Sequence, residues 1–292
     1  MISPEYVQAR AVLLDALDGL GTHREAVVLV GAQAVYLHAG AADFATAPTT
    51  TDADLAFIPN LLASEPAVVD AMRAAGFVPG NQPGSWLGRG GIAVDLMAPE
   101  ALCGGSSSHR SARLQPPHDD KMTARRTAGL EAAVVDNDVR TIRALDAGDS
   151  RSFEIKVAGP AALIVSKVIK IAERRHQQPH RLKPKDGLDV LRLLRAEEDF
   201  RALARSLRDL VSNELSGVVA KQAAEELRVL AAEPDGLLPK LAAEAEGIFG
   251  DSDEIRISMV ALVDELLREF DRMIQEWPPD TSELAEGSAE PR

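Results

Sequence analysis

The 292-residue chain is poor in cysteine and in aromatic residues: it has one cysteine, Cys103, and only 4% Phe, Trp and Tyr. A single thiol excludes an internal disulfide framework and a cysteine-based zinc site. Few aromatics, set against many Ala and Leu, favour helices over an all-β fold. No apolar run reaches the ~18 residues that a membrane span needs. The first ten residues lack a basic-then-apolar leader, and Asp15 and Asp18 interrupt the apolar stretch that follows. The sequence therefore reads as a cytoplasmic protein with no membrane partner. Positive charge is also scarce, with 32 Lys/Arg against 45 Asp/Glu and a net charge of −13. That balance opposes a nucleic-acid partner for the chain as a whole. The deficit is uneven, however. Residues 1–100 carry net −7, residues 101–190 net +5, and residues 191–292 net −11. Attraction to phosphate would be confined to the middle of the chain.

What the chain does have is a row of aspartates in strand-like surroundings. Asp52 and Asp54 lie in the run Thr49–Phe57, and Asp95 lies in Ile92–Met97. Apolar or β-branched residues flank both, with Gly and Pro nearby. Alternate strand residues share a face, so Asp52 and Asp54 point together, roughly 6.6 Å apart along the strand. An adjacent strand can set Asp95 beside them. Three such carboxylates repel one another unless a cation intervenes, and Mg²⁺ or Mn²⁺ suits an all-oxygen donor set. Asp-x-Asp also occurs in ordinary exposed strands, so the segment before it matters. Residues 25–38 read as a buried strand, a turn at Gly31-Ala32 and a helix start. A glycine there lets backbone N–H groups approach phosphate at a helix N-terminus.

The periodicity gives an α/β first half and a helical second half. Ser3-Pro4 opens a helix to about Gly19. Strands are expected at 25–30, 51–57, 92–97, 139–145 and 153–158, with helices at 33–39 and 61–75 between them. Gly104–Ser108 reads as a loop. From Pro160 the segments 160–176, 186–198, 199–212, 214–232, 237–248 and 252–276 are all helical in pattern. The expected division is an α/β domain over 1–158, a helical domain over 159–277 and a disordered tail over 278–292.

In the helix 160–176, Lys167 shares the face of Ile164 and Ile171, so its ammonium must meet an anion or extend to solvent. Lys170 is the alternative. Asp186 begins the next helix, where an acid favours the N-terminal dipole. Asp189 is expected to pair with Arg192 or Arg195 on the surface. Among the histidines, His38 reads as packed or hydrogen-bonded. His109 and His118 flank a loop read as loose. His176 and His180 are separated by the helix-breaking Pro179, which rejects a zinc pair there.

Strand, glycine turn, helix, then Asp-x-Asp and a later strand aspartate resembles the nucleotidyltransferase superfamily. Pro160–Lys167, with Lys185-Asp186-Gly-Leu-Asp189, is similar to the Lys and Lys/Arg-Asp-x-x-Asp motifs of AbiEii/MenT-like toxins of bacterial toxin–antitoxin systems. The resemblance spans about residues 26–195. Two positions depart from the pattern: the turn is Gly-Ala rather than Gly-Gly or Gly-Ser, and Ala53 is a small spacer. The resemblance implies a nucleotidyltransferase-like mixed sheet with flanking helices and a C-terminal helical domain. It implies a Mg²⁺- (or Mn²⁺-) dependent enzyme moving a nucleotide from an NTP to RNA, with tRNA the favoured acceptor and a cognate antitoxin as partner. A monomer is expected. Asp52, Asp54 and Asp95 would be metal ligands. Lys167, or Lys170, would contact the triphosphate with Gly31 and Ala32. Asp95, or alternatively Asp186, would accept the proton of the attacking hydroxyl. Arg110, Arg113, Arg125, Arg126, Arg174 and Arg181 are the candidates for RNA contact. Two alternatives stay open: transfer to a protein or small-molecule hydroxyl, and a non-catalytic binding protein that kept the fold.

Overall fold

Ser3 starts the first helix as the sequence suggests: its Oγ accepts from the Tyr6 N–H, and Pro4 occupies the first turn. This helix, α1, spans Pro4–Leu20 in the computed structural model, which describes residues 2–40, 50–104, 110–247 and 250–276. A 3₁₀ segment over Gly21–Ala26 follows, so the first strand, β1, is shortened to Val27–Val30, all four residues buried. Helix α2 (Gly31–Ala39) follows at once. Strand β2 is Asp52–Phe57. Thr49 and the other residues of 41–49 lie outside the described residues.

The single helix expected over 61–75 is instead a 3₁₀ turn at Pro59–Leu61 and a short α3 at Val68–Ala74. Pro66 accounts for the shortening, since it has no N–H and forces residue 65 out of the helical region. Two strands that the sequence did not announce come next, β3 (Val78–Pro79) and β4 (Ser85–Leu87), then β5 (Ala93–Pro99) and a further unannounced β6 (Arg125–Thr127). Two or three residues are too few to show alternation. A one-and-a-half-turn α4 (Glu131–Val135) precedes the hairpin of β7 (Asn137–Arg143) and β8 (Ser152–Ala158). The helical half is α5 (Pro160–Gln177), α6 (Pro184–Ala196), α7 (Phe200–Ser212), α8 (Gly217–Leu230), α9 (Leu237–Glu246) and α10 (Ser252–Gln275). Pro184 lets α6 begin two residues before Asp186, which therefore sits in its first turn. The expected loop at 105–108, His109 and the tail from 277 lie outside the described residues.

The eight strands form one mixed sheet in the order β3-β4-β5-β2-β1-β8-β7, with β6 also on β5. β2 runs antiparallel to β1 and parallel to β5, while β1 runs parallel to β8. α1 and α3 pack together over the sheet; α2 carries contacts onward to α5 and α6, and α9 and α10 close the helical half. Buried apolar side chains run as one continuous cluster from Tyr6 to Met273. The architecture is thus mixed α/β with flanking and C-terminal helices. Burial alternates through the first four residues of β2 and of β5: Ala53, Leu55, Val94 and Leu96 are fully buried, and Asp52, Asp54 and Asp95 project on the other face.

Candidate functional site

Strand register brings the acids together. Asp54 is the pairing partner of Val30 on β1 and of Asp95 on β5. The chain leaves β1 at Val30 and turns into α2 at Gly31, whose φ is +67°. A Cβ on Gly31 would stand 2.0 Å from Asp54 Oδ2. Glycine is therefore required twice over, for the left-handed backbone and for the approach of a carboxylate to the helix start. Ala32, by contrast, is buried and does not line the cleft.

Asp52 is braced. Its Oδ1 accepts from Thr50 Oγ at 2.7 Å, and its carbonyl accepts from Gln33 Nε2 at 3.1 Å. Gln33 Oε1 in turn accepts from Arg10 Nε at 2.8 Å, tying the strand to α1. Asp95 Oδ2 accepts from Arg125 Nη2 at 3.1 Å. Burial, with the charges of Asp52 and Asp95, raises the Asp54 pKa to about 6. Burial is the larger cause and the two neighbouring carboxylates the smaller. Among the described residues no three His, Cys, Asp or Glu side chains are gathered as a metal set. The donor chemistry still fits a hard divalent cation, since Asp52 and Asp54 offer only oxygens and carry excess charge.

Facing the acids is a cationic ledge on α5. Lys167, Lys170 and Arg174 recur at spacings of three and four, so they share one face. Lys167 Nζ donates to Asp189 Oδ2 at 2.7 Å and Asp186 Oδ1 at 3.1 Å. Lys170 Nζ reaches Asp186 Oδ1 at 2.8 Å, and Arg174 Nη1 reaches Asp186 Oδ2 at 3.2 Å. Arg192 stands 3.6 Å from Asp189 Oδ1. Burial alone would lower the Lys167 pKa, but Asp189, Asp186 and Asp54 reverse this and hold it above its ordinary value. Burial would likewise raise Asp186, yet Lys167 and Lys170 outweigh it and hold the carboxyl well below the usual range. Lys170 moves the other way, lowered by burial and by the neighbouring Lys167. Its side chain is 37% exposed against 8% for Lys167. Both lysines line the cleft: Lys170 is the more exposed ammonium, and Lys167 is the one held by two carboxylates.

Two adjoining cavities open here. One, of about 320 Å³, is lined by Gly31, Asp54, Lys170 and several arginines; the other, of about 640 Å³, by Asp52, Asp54, Asp95 and the 80–85 turn. Asp54, Gln82, Arg125, Lys170, Arg174 and Arg181 border both. Of the arginines expected at an RNA surface, Arg110, Arg125, Arg126, Arg174 and Arg181 line this cleft; Arg113 is exposed and does not.

Two expectations are corrected. Asp189 does pair with Arg192, at 3.6 Å, but it does so wholly buried beneath the ledge and not on the surface. His118 is not on a loose loop: it is buried, its Nδ1 accepting from the Val68 N–H and its Nε2 meeting the Ala63 carbonyl. Arg174 belongs to the ledge through its bond to Asp186. His38 is hydrogen-bonded to the Ala158 carbonyl at 2.8 Å, as expected. Lys185, which the sequence set in the motif without a role of its own, extends over the Tyr36 ring 5.9 Å from its centroid; burial lowers its pKa, with Asp189 and Asp52 acting against that. The matched spacing of Lys167/Lys170 and Asp186/Asp189, three residues each, was the available signal for the ledge.

A family model described as Nucleotidyltransferase matches residues 8–212. No curated protein matches the chain. Among solved structures, an antigenic nucleotidyltransferase-like protein from Paracoccidioides brasiliensis is 16% identical, covers 76% of this chain and 94% of its own, and superposes with a TM-score of 0.36. A likeness of that degree bears on neither substrate nor mechanism.

Proposed function

This chain belongs to the nucleotidyltransferase family, and on that premise we propose that it transfers a nucleotide from an NTP to RNA, with a tRNA end as the acceptor. Nucleotidyl transfer itself follows from the family. The RNA acceptor is supported by one observation above the rest: five arginines line a cleft floored by the acidic row, in a chain whose net charge is −13. A toxin role, held in check by a cognate antitoxin protein, is supported by the likeness of Lys167 and Lys185–Asp189 to AbiEii/MenT-like motifs.

In this reading the N-terminus of α2 and Lys170 receive the triphosphate, and Arg174 offsets its charge. Asp52 and Asp54, with Asp95, would hold Mg²⁺ or Mn²⁺, which supplies Lewis-acid polarisation of the phosphate and a template for in-line attack. Asp95 would take the proton of the attacking hydroxyl. Asp186 would not, because three cations hold it ionised and occupy both its oxygens. Its part is to position Lys170 and Arg174. Catalysis of this kind is positioning and electrostatics, with no covalent enzyme intermediate.

The test is incubation with each α-labelled NTP, Mg²⁺ and total RNA, with Asp54→Ala alongside. Label on RNA that depends on Asp54 is the expected result. Label on protein or on a small alcohol would transfer the reading to those acceptors, and no label with any NTP would remove it.

A further inference from the structure

Among the described residues, Arg125 makes the direct ion pair to the acidic row. Its guanidinium Nη2 donates to Asp95 Oδ2 at 3.1 Å and lies 3.3 Å from Met97 Sδ, while its backbone is fixed. β6 pairs with β5 in the register Met97↔Arg125, and the Arg126 N–H donates to the Arg110 carbonyl at 2.8 Å. The close approach of β6 depends on Gly84, where a Cβ would stand 2.1 Å from the Leu96 carbonyl oxygen and 2.4 Å from the Arg125 nitrogen. The Cα of Arg125 is therefore anchored. Its side chain is 27% exposed, Asp95 is 22% exposed, and the arginine borders both cavities.

We propose that Arg125 is a counter-ion latch: it neutralises Asp95 until a divalent cation takes that carboxylate, and the released guanidinium then binds substrate phosphate. The inference rests on the metal role assigned above to Asp52, Asp54 and Asp95. Arg125 and the metal share one carboxylate, so each weakens the other's hold on it. Once released, the guanidinium needs only rotation about its own side chain to face either cavity. A planar fork of donors suits a phosphate as well as it suits Asp95. The latch thereby couples metal entry to phosphate capture, and it spares the empty site three mutually repelling charges.

The experiment is titration of the full-length protein with Mn²⁺ alone, following free Mn²⁺ by electron paramagnetic resonance, without nucleotide. Arg125→Gln is expected to bind Mn²⁺ roughly five-fold more tightly than the parent, the scale of one part-exposed ion pair removed as a competitor. Arg125→Lys keeps the charge and should remain near the parent value. Arg126→Gln, which removes a charge from the same cavity but not from Asp95, should shift the affinity less than Arg125→Gln. Unchanged or weaker Mn²⁺ binding in Arg125→Gln, with a parental melting temperature, would overturn the latch. So would equal gains from Arg125→Gln and Arg126→Gln, which would mean a general field effect. If the parent binds no Mn²⁺, or if Asp54→Asn leaves binding untouched, the metal reading fails first and the latch with it.

Discussion

At Gly31 the demands of backbone and site coincide. Its φ of +67° strains any residue with a Cβ, and that Cβ would overlap the Asp54 carboxylate. Gly31→Ala is expected to lower stability by about 1–3 kcal/mol and to reduce nucleotidyl transfer far more than that loss explains, as measured by urea unfolding and turnover together. Full activity in the alanine variant would show that the Asp54 position is not constrained from this side. Asp54 gives a second expectation. Its folded pKa, about 6, lies above the ordinary 3.8, so the folded state binds the proton more tightly between those values. Ionising Asp54 is thus a penalty that is present above about pH 6 and relieved as pH falls towards 4. Asp54→Asn should be more stable than the parent at pH 7, by at most about 3 kcal/mol, with the gap closing near pH 4. A constant gap across that range would mean that the carboxylate is not electrostatically strained.

At the scale of elements, α5 and α6 are joined by charge. Lys167, Asp186, Asp189 and Arg192 are all buried, and each depends on the others for compensation. Removing one member leaves an uncompensated buried charge, which costs about 3–5 kcal/mol. Asp189→Ala and Lys167→Ala are therefore expected to unfold at markedly lower urea concentration. Lys170→Ala should barely move that midpoint yet raise the KM for NTP roughly ten-fold or more, the loss of a charge-assisted phosphate contact. If Lys167→Ala kept parental stability and Lys170→Ala kept the parental KM, the two lysines would have the opposite roles. Lys167 has the motif position and lines the cavity, but two carboxylates hold its ammonium, whereas Lys170 is the more exposed of the two.

Across the whole molecule, the sign of the charge varies by region. Arg110 and Arg181 line the cleft without belonging to the Asp95 latch, so they isolate the acceptor surface. Arg110→Glu with Arg181→Glu is expected to weaken RNA binding while NTP binding, measured without RNA, is unchanged. RNA affinity should also fall steeply with salt, the logarithmic slope being about −0.7 per phosphate neutralised on a single strand. An affinity flat between low and physiological salt would argue for a protein or small-molecule acceptor. Among the described residues no helix is long and apolar enough to cross a membrane, in keeping with the absence of any long apolar run.

The sequence by itself determined the parts whose signals are local. Alternation put Asp52 and Asp54 on one strand face, because a strand has period two whatever packs against it; the β2–β5 register then set Asp95 beside them. Ser3-Pro4 and the long amphipathic repeats placed α1 and the helices from Pro160 onward to within a few residues. Gly31 was legible as a turn glycine. Tertiary structure decided the rest, because the deciding contacts join distant residues. β3, β4 and β6 exist only as partners of longer strands, and β6 is what carries Arg125 to Asp95, thirty positions away in sequence. Asp189 reads as an exposed helical acid until α5 covers it, and only then does its charge belong to Lys167. Local periodicity tells which way a side chain points from its own element. Which ion it meets there depends on the element that packs opposite, and that is a property of the folded chain.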